Sequence, residues 1–138
     1  MSTTIPDSHK DLIEGPVVVT LSTMMPDGQP QSSPVWCNYD GSHVLVNTIR
    51  GRQKYKNMLA RPMVTILAVD PQNPYRFLEV RGAVEEMVEA GAVEHMNTLT
   101  RLYVNKPNYY GGFAPAEREG QEVRVICKIK PTRVNHAG

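Results

Sequence analysis

Six short extended segments, most of them rich in β-branched and apolar residues, dominate this chain and point to a mainly β fold. The first, residues 17–24, stops at Pro26-Asp27-Gly28, a turn signature, and residues 29–38 resume as a second extended segment. Together they read as a hairpin. Pro30 and Pro34 have no amide to give to a ladder, so the second strand belongs at an edge or is locally irregular. An irregular edge leaves backbone groups free to face a ligand.

Tyr39-Asp40-Gly41-Ser42 makes the next turn, and residues 43–48 form a third strand. Residues 52–61 predict a short helix ended by Pro62, and residues 63–69 a nearly continuous apolar strand. After a loop at residues 70–74, residues 77–87 form a long strand with Gly82 inside it, which points to a bulge or a close backbone approach. Residues 90–103 predict the one longer helix, with Val93, Met96, Leu99 or Thr100, and Tyr103 on one stripe. Residues 105–120 read as a loop. Residues 122–130 alternate and give a last strand that ends before Pro131.

Six antiparallel strands with few helices close into a small barrel, and 138 residues provide one domain over residues 1–138. The interior of such a barrel is filled by side chains. A ligand therefore belongs on its outer surface, where a second copy of the chain can complete the pocket.

A formal net charge of +1 gives no general pull toward nucleic acid or an anionic membrane, so any anion site has to be local. No apolar run is long enough to span a bilayer, and the first ten residues lack the basic start and apolar run of a leader. Cys37 and Cys127 lie far apart within strand-like segments and read as buried thiols in a reducing cytoplasm.

The chemistry concentrates in residues 47–57. A strand ends in Asn47 and Thr48, the chain turns at Gly51, and a helix begins carrying Arg50, Arg52, Lys54 and Lys56 around its start. Cations at that end oppose the helix dipole unless an anion lies nearby. The free amides of the same terminus point the same way. A phosphate satisfies amides, threonine hydroxyl and charged side chains together. The competing reading is a solvated basic face. In the preceding hairpin, the backbone of Pro34, Val35 and Trp36 can line the polar edge of a planar ring. Trp36 can equally be an ordinary core or interface aromatic.

Three stretches, Asp27-Gly28 with Pro30 and Pro34-Val35-Trp36, then Asn47-Thr48, then Arg52, Lys54, Asn57, Met58, Pro62 and Val64, occur in an order that resembles the pyridoxamine 5′-phosphate oxidase-like superfamily of split-barrel flavoproteins. The similarity is greatest to its small branch that uses the deazaflavin F420, and it extends over nearly the whole chain. It implies a six-stranded antiparallel split β-barrel of Greek-key, FMN-binding type, and a homodimer with cofactor sites at the subunit interface. Ser33, Pro34, Val35 and Trp36 would face the ring. Thr48, Arg52 and Lys54 would hold the phosphate, with Asn47 and Asn57 in support.

Ser33 stands where the vitamin-B6 oxidases of the family carry an arginine, and the basic C-terminus of those enzymes is absent. Both departures favour the F420 branch. The resemblance thus implies an oxidoreductase that uses reduced F420 to pass hydride to a small organic acceptor. The alternatives are an FMN-dependent oxidoreductase, or a non-catalytic carrier of flavin or haem. No side chain stands out as a catalytic acid.

His9, His43, His95 and His136 are scattered without ligand-like spacing, so no metal site is expected. Glu85, Glu86, Glu89 and Glu94 read as a solvated helix face. Neither GxGxxG nor GxxxxGK occurs. The aromatic stretch Tyr109 to Phe113 is either a cover for a ligand or a plain connector.

Overall fold

The computed structural model describes residues 3–138. Met1 and Ser2, which begin the ten residues expected to lack a leader pattern, lie outside the described residues. Seven strands form one antiparallel sheet: β1 (Val19–Met24), β2 (Pro30–Val35), β3 (Cys37–Tyr39), β4 (Val44–Ile49), β5 (Met63–Asp70), β6 (Asn73–Val88) and β7 (Arg124–Ala137). Their order is β2-β1-β5-β6-β7-β4-β3. Among the described residues three α-helices accompany them: α1 (Asp11–Glu14), α2 (Gln53–Ala60) and α3 (Ala92–Val104).

The extended stretch expected as one strand over residues 29–38 is two, which raises the count from six to seven. Val35 pairs with Val19, whereas Cys37 pairs with Val46, so only Trp36 separates strands at opposite ends of the sheet. Covalent continuity through Trp36 closes the sheet into a barrel. Extended propensity runs unbroken through this stretch. The change of partner is a tertiary event and leaves no local mark.

The last strand also differs from expectation. It runs through Pro131 to Ala137. Pro131 lies opposite Gly82, where the register between β6 and β7 shifts, and a missing amide is tolerated at such a bulge. The glycine is required there: a Cβ would stand 2.5 Å from the carbonyl oxygen of Lys130. A close backbone approach at Gly82 is thus what the structure contains.

Inward residues of successive strands fill the barrel, among them Leu21, Val44, Val46, Ile66, Leu78, Val80, Cys127 and Ile129, all with no exposed surface. Leu12 and Ile13 of α1 and Met58 of α2 join the same cluster. Cys37 and Cys127 are buried and unbridged, and burial pushes each thiol up to about 12. Helix α3 lies against β4 and β7 and buries Met96, Leu99 and Thr100, with Val93 and Tyr103 half-buried at its margins.

Of the four glutamates expected on one helix face, only Glu94 is helical. Glu85 and Glu86 belong to β6, and Glu89 lies in the turn that follows. They are exposed, and Glu85, Glu89 and Glu94 reach His43, Arg50 and Arg101 respectively. The segment at residues 105–120, expected as a loop, is irregular apart from a bridge between Tyr110 and Ala114 and runs into a short 3-10 turn, Ala116–Gln121. At the other end, Arg76 grips Asp70 in its own hairpin and Asp11 of α1, fastening the N-terminal segment to the barrel.

Candidate functional site

The alternation of backbone direction along β2 defines an open edge. The Met25 amide donates to the Gln29 carbonyl at 2.9 Å, which sets the hydrogen-bonded pairs of the hairpin. Gln31, Ser33 and Val35 therefore turn their backbone groups toward β1, and Pro30, Ser32 and Pro34 turn theirs away. Both prolines occupy positions where no ladder amide is needed.

Across the gap stands β4. The Arg50 amide donates to Val123 at 2.9 Å, so Thr48, like Arg50, faces β7 with its backbone, while Asn47 and Ile49 face the other way. The register Cys37↔Val46 and Asn38↔Leu45, carried on, would set Pro34 opposite Ile49. Pairing stops instead. The chain leaves β4 at Ile49, whose carbonyl accepts from the Arg52 amide at 3.2 Å, and enters α2. A split remains between the free edge of β2 and the turn at residues 50–52.

Gly51 makes that turn with φ of +97°, a left-handed conformation that favours glycine. Arg52 is the N-cap of α2 and offers no side-chain cap, and the first turn contains no acidic residue. The leading amides of α2 thus lack intrahelical acceptors.

Lys54 is half-buried, and among the described residues it has no hydrogen bond or ion pair. Burial, and then the charge of Arg52, push its ammonium below the ordinary lysine value. Arg50 is engaged with Glu89 at 2.9 Å, whereas Arg52 and Lys56 are exposed. Thr48 is 2 % exposed, and its Oγ1 is a buried side-chain atom without a partner. A buried hydroxyl left unpaired costs free energy. An unpaired hydroxyl, an unpartnered ammonium and an uncapped helix start make a donor set that fits a phosphate.

The other expected residues are deployed differently. Asn57 is fully buried, and its amide donates to Thr23 at 3.1 Å and Gln31 at 3.4 Å, which locks α2 to the β1–β2 hairpin. Asn47 points to the opposite face of β4 from Thr48. It donates to the Ala92 carbonyl at 2.9 Å and to His95 Nδ1 at 3.1 Å. His95 donates from Nε2 to Asn38 at 2.8 Å, and burial pushes its pKa down to about 4, which keeps the ring neutral. Thr48 near the end of β4, Arg52 at the N-cap and Lys54 in the first turn of α2 thus flank the Gly51 turn. The structure sets Ser33 and Val35 with their backbones on β1, and leaves Pro34 on the free edge beside Trp36 at the strand switch.

Trp36 stacks on Tyr103, ring centroids 5.1 Å apart, and meets the edge of Phe113 at 5.2 Å. The aromatic stretch Tyr109 to Phe113 therefore lies against the switch. It is held there by Arg124, a buried cation 4.6 Å from the Tyr109 ring centroid and 3.0 Å from the Tyr110 hydroxyl. Arg124 was not evident from sequence. It stands in an alternating strand where a charge reads as solvent-facing, and its burial comes from partners remote in sequence, the rings of Tyr109 and Tyr110 and the Asn47 side chain, together with nearby Glu122.

On the outer face of the sheet a groove of about 500 Å³ runs over Met24, Met63, Thr65, Arg81, Gly82 and Thr132. Met63 is 74 % exposed, and Leu67 and Val69 extend the same apolar face along β5.

The chain resembles known proteins in sequence and in fold. The sequence matches the pyridoxamine 5′-phosphate oxidase family over residues 5–137. A solved structure described as an F420 reductase is 34 % identical, with a TM-score of 0.80, covering 95 % of this chain and 98 % of its own. A conserved hypothetical protein from Mycobacterium tuberculosis is 23 % identical, with a TM-score of 0.72 over 97 % of this chain and 85 % of its own. The heme storage protein HutZ from Vibrio cholerae is 14 % identical, with a TM-score of 0.66 over 98 % and 96 %. These last two show the fold alone. No curated protein matches the sequence. With its family match over nearly the full length and its barrel split beside Trp36, the chain belongs to the pyridoxamine 5′-phosphate oxidase family of split-barrel proteins.

Proposed function

We propose that this protein binds coenzyme F420 in the split beside β2 and uses its reduced form to transfer hydride to a small organic acceptor. The observation that carries this reading is the unpaired, buried Thr48 hydroxyl in the strand that leads, through the Gly51 turn, to the unpartnered Lys54. Similarity to an F420 reductase at 34 % identity supports the choice of deazaflavin.

When bound, the cofactor supplies the hydride chemistry, and the protein supplies binding, orientation and electrostatics. Thr48, Lys54 and the first amides of α2 hold the phosphate, with Arg52 adding charge from the exposed side. Asn57 positions α2 against the hairpin, and Asn47 positions β4 against α3; both serve the site through the elements they fix. The free edge at Pro34 and the Trp36 backbone border the ring. Ser33 and Val35 line the same strand with their backbone groups committed to β1.

The apolar outer face containing Met63, Leu67 and Val69 is read as the seat of a second copy, so that the chain acts as a homodimer with cofactor sites at the seam. Buried, unbridged Cys37 and Cys127 accord with a reducing cytoplasm.

FMN also carries a phosphate beside a tricyclic ring, so the Thr48–Lys54 donor set suits an FMN-dependent oxidoreductase as the second reading. A carrier of flavin or haem without turnover is the third. Titration of the purified protein with F420, FMN and haem side by side, followed by absorbance, separates the three. Saturable micromolar binding of F420, followed by reduction of an acceptor, is expected. Failure of every cofactor to bind overturns the proposal.

A further inference from the structure

We propose that His95 is a positioning residue for the end of the split: its two ring nitrogens hold both flanks of Trp36, one through Asn38 and the other through Asn47 and Arg124. This deepens the cofactor reading above, and its consequence for binding rests on that reading.

The outer partners fix the state of the ring between them. Asn47 lies between the Ala92 carbonyl, which can only accept, and the Arg124 guanidinium, which can only donate. Its amide nitrogen therefore faces Ala92 at 2.9 Å, and its oxygen faces Arg124 Nη1 at 3.4 Å. The second hydrogen of that amide points to His95 Nδ1 at 3.1 Å, so Nδ1 carries a lone pair. The ring proton is left on Nε2, which donates to Asn38 Oδ1 at 2.8 Å. His95 is thus neutral and held in one tautomer by its neighbours, in accord with the depressed pKa that burial produces.

Each end of this chain reaches the surroundings of Trp36. Asn38 lies two residues beyond it, in the strand that begins after the switch. At the other end Arg124 donates from Nε to the Tyr110 hydroxyl at 3.0 Å, and that hydroxyl donates to Glu122 at 3.0 Å. The guanidinium also lies over the Tyr109 ring. Tyr109 stacks on Phe113, centroids 5.7 Å apart, and Phe113 meets Trp36. Among the described residues no ring contact joins His95 to Trp36 itself, so its effect on Trp36 runs through these partners. Without the ring nitrogens Asn38 and Asn47 each lose a partner. Asn47 is then free to turn, and Arg124 loses a link that orients it.

A plain structural role, fastening α3 to β4, would lower stability and leave Trp36 as it is. The two roles separate because Trp36 is the one tryptophan of the chain, and its fluorescence reads the proposal directly. Wild type, His95→Phe and His95→Gln are compared by acrylamide quenching without cofactor, and are then titrated with F420. Phenylalanine keeps a ring and removes both partners, whereas glutamine offers an acceptor oxygen and a donor N–H. In His95→Phe the quenching constant should rise toward that of free tryptophan. F420 affinity should fall about tenfold, the scale of one hydrogen-bonded link lost. His95→Gln should recover both toward wild type.

A cooperatively melting His95→Phe with wild-type quenching overturns the inference, as does a glutamine variant no closer to wild type than the phenylalanine one. Unchanged F420 affinity alongside raised quenching overturns it too. Should His95→Phe fail to fold, the imidazole nitrogen NMR shifts of the wild type at neutral pH decide. A bare Nε2 or a doubly protonated ring overturns the inference, and a proton on Nε2 alone upholds it. A wild type that binds neither F420 nor FMN overturns the cofactor reading, while quenching still decides whether His95 places Trp36.

Discussion

The phenolic oxygen of Tyr103 lies 2.7 Å from the Val17 carbonyl oxygen and 3.1 Å from the Cys37 amide nitrogen. It donates to the first and accepts from the second, so one side chain of α3 joins the start of the first hairpin to the strand that follows the switch. Burial holds the phenol well above its ordinary pKa and keeps that proton in place. Tyr103→Phe leaves the Val17 and Cys37 backbone groups unpaired in a part-buried place, a loss of roughly 1–3 kcal/mol. Urea unfolding should show a lowered midpoint with an unchanged slope. An unaltered midpoint would mean that Tyr103 contributes by its ring alone.

Thr48 and Lys54 make a paired test, because binding and stability are expected to move in opposite directions. Thr48→Val removes a buried hydroxyl that has no partner, so the cofactor-free protein should gain about 1–3 kcal/mol while cofactor affinity falls. Lys54→Ala leaves the fold intact and weakens cofactor binding by roughly 1.5–3 kcal/mol. Melting and titration of both variants supply the check. If Thr48→Val is less stable than wild type, the hydroxyl has a structural partner and the phosphate reading of Thr48 fails.

Much of this architecture is legible in the sequence where the determinants are local. The turn at Pro26-Asp27-Gly28, the apolar run of β5 and the stripe on α3 are short-range patterns, and each sits where expected. The switch at Trp36 is different. Whether residue 35 or 37 pairs with β1 or β4 depends on where a distant strand lies, and neighbouring side chains carry no sign of it. Pro131 misleads for a related reason: proline ends most strands, but here its missing amide falls at the bulge opposite Gly82.

The site divides the same way. Thr48, Arg52 and Lys54 stand out in the sequence because a strand end, a glycine turn and a helix start follow one another in the chain, and the structure contains all three of those elements. Asn47 and Asn57 sit among them as the same kind of polar residue. Their amides are spoken for by Ala92, His95, Thr23 and Gln31, all remote in sequence.

Acid stability should depend on the Arg76 clamp. The guanidinium beside Asp11 holds that carboxyl below its ordinary value of 3.8. At Asp70 the Gln72 amide and then Arg76 do the same, again from 3.8. A carboxylate whose folded pKa is depressed contributes stability above its unfolded pKa and loses it as pH falls through the folded one. The contribution is therefore intact above about pH 4 and lost below it. Arg76→Ala should move the midpoint of acid unfolding to higher pH, and a circular-dichroism titration that leaves it in place would contradict this.

Gly82→Ala tests the close approach of β6 and β7. The added methyl would meet the Lys130 carbonyl oxygen at 2.5 Å and the Ile129 side chain at 2.8 Å. Backbone cannot yield there without disturbing the bulge, so a loss of about 1–3 kcal/mol or more is expected. Thermal melting measures it. A variant as stable as wild type would show that the two strands are farther apart than described.

The most direct measurement is a crystal structure of the protein with F420 bound. The cofactor phosphate should lie within hydrogen-bonding distance of Thr48 Oγ1, Lys54 Nζ and at least one leading amide of α2, with the ring along the free edge of β2. A ring seated elsewhere, with the threonine hydroxyl still unpaired and Lys54 turned away, would contradict the assignment of this split as the cofactor site.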